Sequence, residues 1–148
     1  VQHYRELILE FYVQSAPMTG APDVLKRAHE AGWVIAVVTS ASELDVQQWL
    51  VHNRLNQLIA TVVGSESVSH SKPNPEPYQT AISRSGCEPS QGVALEDTKT
   101  GAVSAVAAGL HTFVIGPSPL DAGDWPDVKG FINSFEQLAE KILDVKRF

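Results

Sequence analysis

Val93-Ala94-Leu95-Glu96-Asp97-Thr98-Lys99-Thr100-Gly101 is an apolar run that stops on two adjacent acids and turns into hydroxyls and a glycine. The pattern predicts a buried strand over 92–95 and a helix over 101–108, opened by Thr98 or Thr100 and ended at Gly109. Upstream lies Ser71-Lys72-Pro73-Asn74-Pro75-Glu76-Pro77-Tyr78, a lysine in a loop stiffened by three prolines. Further upstream, Val34-Ile35-Ala36-Val37-Val38-Thr39-Ser40 is a second apolar run, and this one ends in hydroxyls. Ligands of open parallel sheets bind at the carboxyl ends of the strands. Position alone therefore groups Thr39, Ser40, Glu96 and Asp97.

The rest of the chain alternates helix and strand. Helices are predicted over 1–13, 23–31, 43–52, 77–85 and 135–143, and strands over 33–39, 60–63, 111–115 and 130–132. Pro22 suits a first helical turn, Ser42 an N-cap, and Gly32 and Gly86 helix ends. Residues 116–127 read as an irregular loop. Repeated strand-helix-strand units imply one α/β domain with a parallel sheet and helices on both faces. The run over 33–39 is continuous enough for a strand buried on both faces.

Bulk properties narrow the function. A chain of 148 residues is long enough to bury roughly 70% of its unfolded surface. Its 43% hydrophobic and 19% charged content is that of an ordinary globular protein. A net charge of −6 argues against nucleic acid as a partner, because a basic face is the usual footprint. One cysteine, Cys87, excludes an internal disulfide and a cysteine-based zinc site, and it favours a cytoplasmic location. The apolar runs are too short to span a bilayer, and no signal peptide opens the chain. The chain starts without methionine inside a helical stripe of Leu7, Ile8, Phe11 and Tyr12, as a piece of a longer protein would.

Each candidate side chain has a functional and an ordinary reading. Thr39 and Ser40 can donate to a phosphoryl oxygen beside the amides of the following helix, or Ser40 or Ser42 can merely cap that helix. Lys72 can present a point charge to a phosphate, can neutralise a neighbouring nucleophilic carboxylate, or can sit in solvent. Glu96 and Asp97 can hold Mg²⁺, or one can cap the helix while the other is solvated. The five histidines form no metal set, and only His70 lies near these segments. The three tryptophans read as packing residues.

Taken in order, these segments resemble the haloacid dehalogenase-like (HAD) hydrolase superfamily, in its β-phosphoglucomutase and phosphoglycolate-phosphatase branch. The match runs from about Met18 to Leu138 and includes Gly20-Ala21-Pro22-Asp23-Val24-Leu25 and Ala107-Ala108-Gly109-Leu110. The resemblance implies a three-layer αβα Rossmann-like core over 17–148, with 1–16 a remnant of a helical cap. It implies Mg²⁺-dependent hydrolysis of a small phosphorylated metabolite. Thr39 would be the phosphate-binding hydroxyl with Ser40 beside it, Lys72 the third-motif lysine, and Glu96 and Asp97 the acids that hold magnesium.

The sequence departs from the family at its first motif. No Asp-x-Asp follows any apolar run, and Asp121-Ala122-Gly123-Asp124 has the wrong spacing. The family's nucleophile, which forms an aspartyl-phosphate, is thus missing, as are the central strand that carries it and most of the cap. The strands ending at Thr39 and Leu95 would flank that strand. The gap would be filled by a segment outside these residues, by a strand from a partner chain or a homodimer, or by direct pairing of the two strands. Rival readings are a non-catalytic remnant that binds a partner or phosphorylated ligand, and a phosphomutase fragment. A phosphorelay receiver domain has the wrong motif order, because its acids come first and its Lys-Pro last.

Overall fold

The structure, a computed structural model, describes residues 15–116 and 124–144. The helix expected over 1–13 lies outside the described residues, as do most of the expected cap remnant and part of the 116–127 loop. The described elements alternate as expected. They are α1 (Ala21–Glu30), β1 (Ala36–Val38), α2 (Glu43–His52), β2 (Thr61–Val63), α3 (Glu76–Ser85), β3 (Val93–Glu96), α4 (Lys99–Ala107), β4 (His111–Ile115), β5 (Gly130–Ile132) and α5 (Phe135–Ile142).

All strand pairs are parallel, and they fall into two sheets. β1 pairs β2, with Ala36 opposite Thr61 and Val38 opposite Val63. β3 pairs β4 from Val93–His111 to Glu96–Val114, and β4 pairs β5 from Phe113–Gly130 to Ile115–Ile132. Among the described residues β1 and β3 do not pair with each other. Of the three expected ways to close the gap, direct pairing is thus not taken.

Helices on both faces hold the two sheets together. On one face Val24 of α1 packs with Phe113, Ile132, Leu138 and Ala139 over the second sheet. Its neighbour Leu25 packs against Leu50, Leu55 and Val62 over the first, so α1 straddles the gap. On the other face Tyr78 of α3 joins Ala94, Ala105 and Ala108, with Val38 packed against them. A buried apolar side chain contributes roughly 1.5–3 kcal/mol, whereas a ladder hydrogen bond nets roughly 0.5–1.5. Packing through α1 and α3 therefore links the two sheets where no backbone ladder does.

The first strand is shorter than its apolar run. A strand over 33–39 with both faces buried was expected, but only Ala36–Val38 is strand and all three residues are half-buried. The cause is the helix stop. Trp33 N–H donates to Ala28 O at 3.0 Å and Gly32 N–H to His29 O at 2.9 Å, with Gly32 at φ 84°. This Schellman closure spends Trp33 on ending α1. Val34 follows it, 57% exposed.

Below α2, a polar cluster ties the first sheet to α3. The Glu43 carboxylate accepts from Ser67 Oγ, from Gly64 N–H at 3.1 Å and from Arg84 Nη1 at 3.3 Å. Arg84 also donates to Val62 O at 2.8 Å. These donors, Ser67 first, hold the Glu43 carboxyl below its ordinary value. A lowered folded-state pKa adds stability above the unfolded value of about 4.3, and that stability is lost as pH falls through the folded value. Glu43→Gln is therefore expected to flatten the acid side of the stability profile, read as urea midpoints between about pH 6 and pH 3. Parallel profiles for the variant and the parent would contradict this role.

Candidate active site

The carboxyl ends of β1 and β3 face one another across the gap, around a cleft of about 420 Å³. Its walls include Thr39, Ser40, Lys72, Glu96, Asp97, Thr98 and Thr100. All five side chains singled out from the sequence thus meet in one place.

Local geometry settles what each hydroxyl is free to do. Ser42 caps α2 by accepting from Asp45 N–H at 3.2 Å, which leaves Ser40 exposed on the cleft. Glu43 N–H is taken by Glu66 Oε2 at 3.0 Å. The first amides of α2, read from the sequence as phosphate donors, are thus already partly spent. Thr39 Oγ1 accepts from Ala41 N–H at 3.0 Å and keeps its own O–H as a donor. Thr98 is the N-cap of α4, accepting from Gly101 N–H at 3.1 Å, so the cap belongs to a threonine and neither acid is used for it.

The lysine loop is fixed from several sides. Glu76 accepts from His70 N–H at 2.9 Å and Ser69 N–H at 2.6 Å, and His70 Nδ1 lies 2.7 Å from it. Ser104, wholly buried in α4, donates to Asn74 O at 2.6 Å. The backbone of Ser69, with the ring of His70 behind it, holds the Glu76 carboxyl below its ordinary value. His70, the histidine nearest these motifs in sequence, is thus a loop fastener on Glu76.

Lys72 is nearly buried, 14% exposed, and its Nζ donates to the Glu96 carboxylate and to Val38 O at 3.1 Å. Glu96, 6% exposed, also accepts from the Tyr78 hydroxyl through the same oxygen. Burial first, and then the Glu96 charge, push the Tyr78 phenol well above its ordinary range, so it remains a donor at physiological pH. The Lys72 ammonium sits 5.2 Å from the Tyr78 ring centre, within cation–π reach. Sequence reading did not assign Tyr78 a role. Its only signal was its place in the Lys-Pro segment.

The acid pair is divided by strand alternation. Ala94 and Glu96 are buried and face α3 and α4, while Asp97, one step on, is exposed at the strand end. Among the described residues no three His, Cys, Asp or Glu side chains come together. Mg²⁺ does not require three, because it commonly takes one or two carboxylates plus waters and phosphate oxygens. Asp97 with the surrounding hydroxyls fits that donor set. No helix of the described residues is long and apolar enough to cross a membrane.

The chain belongs to the family of haloacid dehalogenase-like hydrolases, which matches residues 1–115. Phosphoglycolate phosphatase of Aliivibrio fischeri is 30% identical over 93 residues, 63% of this chain and 41% of that protein. A HAD phosphatase from Thermococcus onnurineus has the same fold at TM-score 0.76 and 26% identity, over 98% of this chain and 66% of its own. CbbY of Rhodobacter sphaeroides, solved in complex with phosphate, matches at TM-score 0.70 and 26% identity, over 81% of this chain and 55% of its own. The chain spans about half the length of the curated relatives it matches.

One glycine in the site is required by contact. A Cβ on Gly101 would fall into the Glu96 carboxylate. That carboxylate cannot swing aside without leaving Lys72 and Tyr78. Overpacking costs roughly 1–3 kcal/mol, against a helix-propensity gain of roughly 1 for alanine. Gly101→Ala is therefore expected to lower the urea midpoint by about 1 kcal/mol of stability. A midpoint that rises would mean that Glu96 is not held as described.

Proposed function

We propose that this chain is the core of a Mg²⁺-dependent phosphate-monoester hydrolase acting on a small phosphorylated metabolite. One observation carries the reading: Thr39, Ser40, Lys72 and Asp97 converge on a single cleft at the ends of β1 and β3. The phosphatases named among its relatives, and the phosphate held by one of them, agree with it.

The residues divide the work as follows. The hydroxyls of Thr39 and Ser40 donate to phosphoryl oxygens. Lys72 has three donors, of which Val38 O and Glu96 occupy two, and the third is left for a phosphate oxygen. Asp97 would hold Mg²⁺, with the buried Glu96 contributing where its Lys72 and Tyr78 partners permit. The metal supplies charge neutralisation on the phosphoryl group.

The reaction also needs an attacking carboxylate, which forms an aspartyl-phosphate that water then hydrolyses. No Asp-x-Asp stands at a strand end here. A strand lying between β1 and β3 with an aspartate at its carboxyl end would supply the nucleophile and pair both open edges. It could come from further residues of a longer protein or from a partner chain. A second reading, a phosphate-binding module without turnover, is favoured by the same missing motif.

Two outcomes are expected. Calorimetry should register Mg²⁺ binding to the chain and weaker binding to Asp97→Asn, with the circular dichroism unchanged; equal binding would remove Asp97 from the metal site. The purified 148-residue chain should not turn over p-nitrophenyl phosphate above background in Mg²⁺. Sustained turnover by protein of verified mass would mean that a nucleophile lies among these residues.

A further inference from the structure

Glu96 and Lys72 are a buried ion pair at the mouth of a cleft that is meant to receive an anion. A carboxylate so close to the ammonium competes with any incoming phosphate for the same charge. The structure contains a third group on this pair. Tyr78, 7% exposed, directs its hydroxyl to the Glu96 oxygen that Lys72 also uses.

We infer that Tyr78 is a positioning residue for anion capture: by sharing the Glu96 carboxylate it keeps Lys72 from being neutralised and leaves its charge for phosphate. The inference deepens the phosphate-site reading and rests on it. A donor on a carboxylate oxygen lowers the electron density there and weakens its hold on a neighbouring cation. Tyr78 is built to be that donor. Its ring is locked in the core with Ala94, Ala105 and Ala108, so the hydroxyl has little freedom to leave. The α4 backbone passes so close to the carboxylate that a Cβ at Gly101 would collide with it, so Glu96 sits in the space that a side chain there would take. Lys72 in turn keeps its second bond to Val38 O, which aims the ammonium at the end of β1, where Thr39 and Ser40 stand.

Removing the hydroxyl leaves Lys72 as the remaining partner of that oxygen. The ion pair then tightens, and the ammonium is less available to an incoming anion although the charge of the cleft is unchanged. Replacing Glu96 with its amide does the reverse, because the competing charge disappears.

The test is titration of the chain with inorganic phosphate, without metal, followed by the Lys72 side-chain Cε resonance and by calorimetry. The resonance is assigned by its absence in Lys72→Met. Wild type should bind phosphate with a shift of that resonance. Tyr78→Phe should bind about tenfold more weakly, the scale of one charge-assisted hydrogen bond. Glu96→Gln should bind more tightly. In the double variant Tyr78→Phe/Glu96→Gln the Tyr78 effect should vanish, since there is no charge left to share. A merely structural role for Tyr78 predicts the same loss in both backgrounds, and that result overturns the inference. So does unchanged affinity in Tyr78→Phe. If Tyr78→Phe fails to fold, Glu96→Gln decides alone: affinity no tighter than wild type overturns the inference. Phosphate binding that is absent in wild type, or intact in Lys72→Met, overturns the phosphate-site reading itself and this inference with it.

Discussion

Lys72 touches both halves of a split sheet. One of its protons goes to Val38 O at the end of β1, another to Glu96 at the end of β3, and no ladder joins those strands. The ammonium is thus a bridge where the backbone provides none. Pulling a charge this far out of water costs several kcal/mol unless geometry and hydrogen bonding compensate. Here the compensation is a carboxylate, a carbonyl and a ring face. No buried side-chain polar atom among the described residues lacks a partner. The loop that delivers Lys72 is held by Glu76 and Ser104, whose own partners lie in the loop backbone. The site is consequently fixed by bonds made outside the cleft as much as within it.

Apolar side chains span the same gap on both faces. α1 places Val24 over one sheet and Leu25 over the other. α3 places Tyr78 against β3 and α4 while Val38 of β1 packs nearby. Apolar packing sets the distance across the gap, and Lys72 sets the polarity of its upper end. A strand entering between β1 and β3 would find an open backbone edge on both sides and a lysine, two hydroxyls and an acid at its carboxyl end.

Much of this was legible because the signals are local. Gly32, Gly86 and Gly109 end helices, with φ of 84°, 66° and 88°, and Ser42 and Thr98 each accept from an amide three residues on. Glycines and caps act within a few residues, so sequence spacing is enough to find them. The length of β1 was misread because an apolar run does not say which of its residues a Schellman turn consumes. Tyr78 was missed for a different reason. Its partner Glu96 is 18 residues away, and nothing near Tyr78 announces a carboxylate. Side chains that matter through a contact across the core leave no periodic trace.

The division between Glu96 and Asp97 has the same origin in backbone geometry. Successive strand residues point to opposite faces. Ala94 and Glu96 face the α3–α4 layer, where the core is made of Tyr78, Ala105 and Ala108. An acid arriving there must find donors inside the protein, and Lys72 and Tyr78 are those donors. Asp97 comes one residue later, where the strand has ended and the chain is turning into the Thr98 cap, so it meets solvent and the cleft. Two identical charges placed side by side in sequence therefore carry different obligations. The inner one fixes the Lys72 ammonium, and the outer one is left facing the cleft, where the proposed function would have it meet a metal. Exchanging the two would still bury one carboxylate and expose the other, but the buried one would be a methylene shorter and set back from Lys72 and Tyr78.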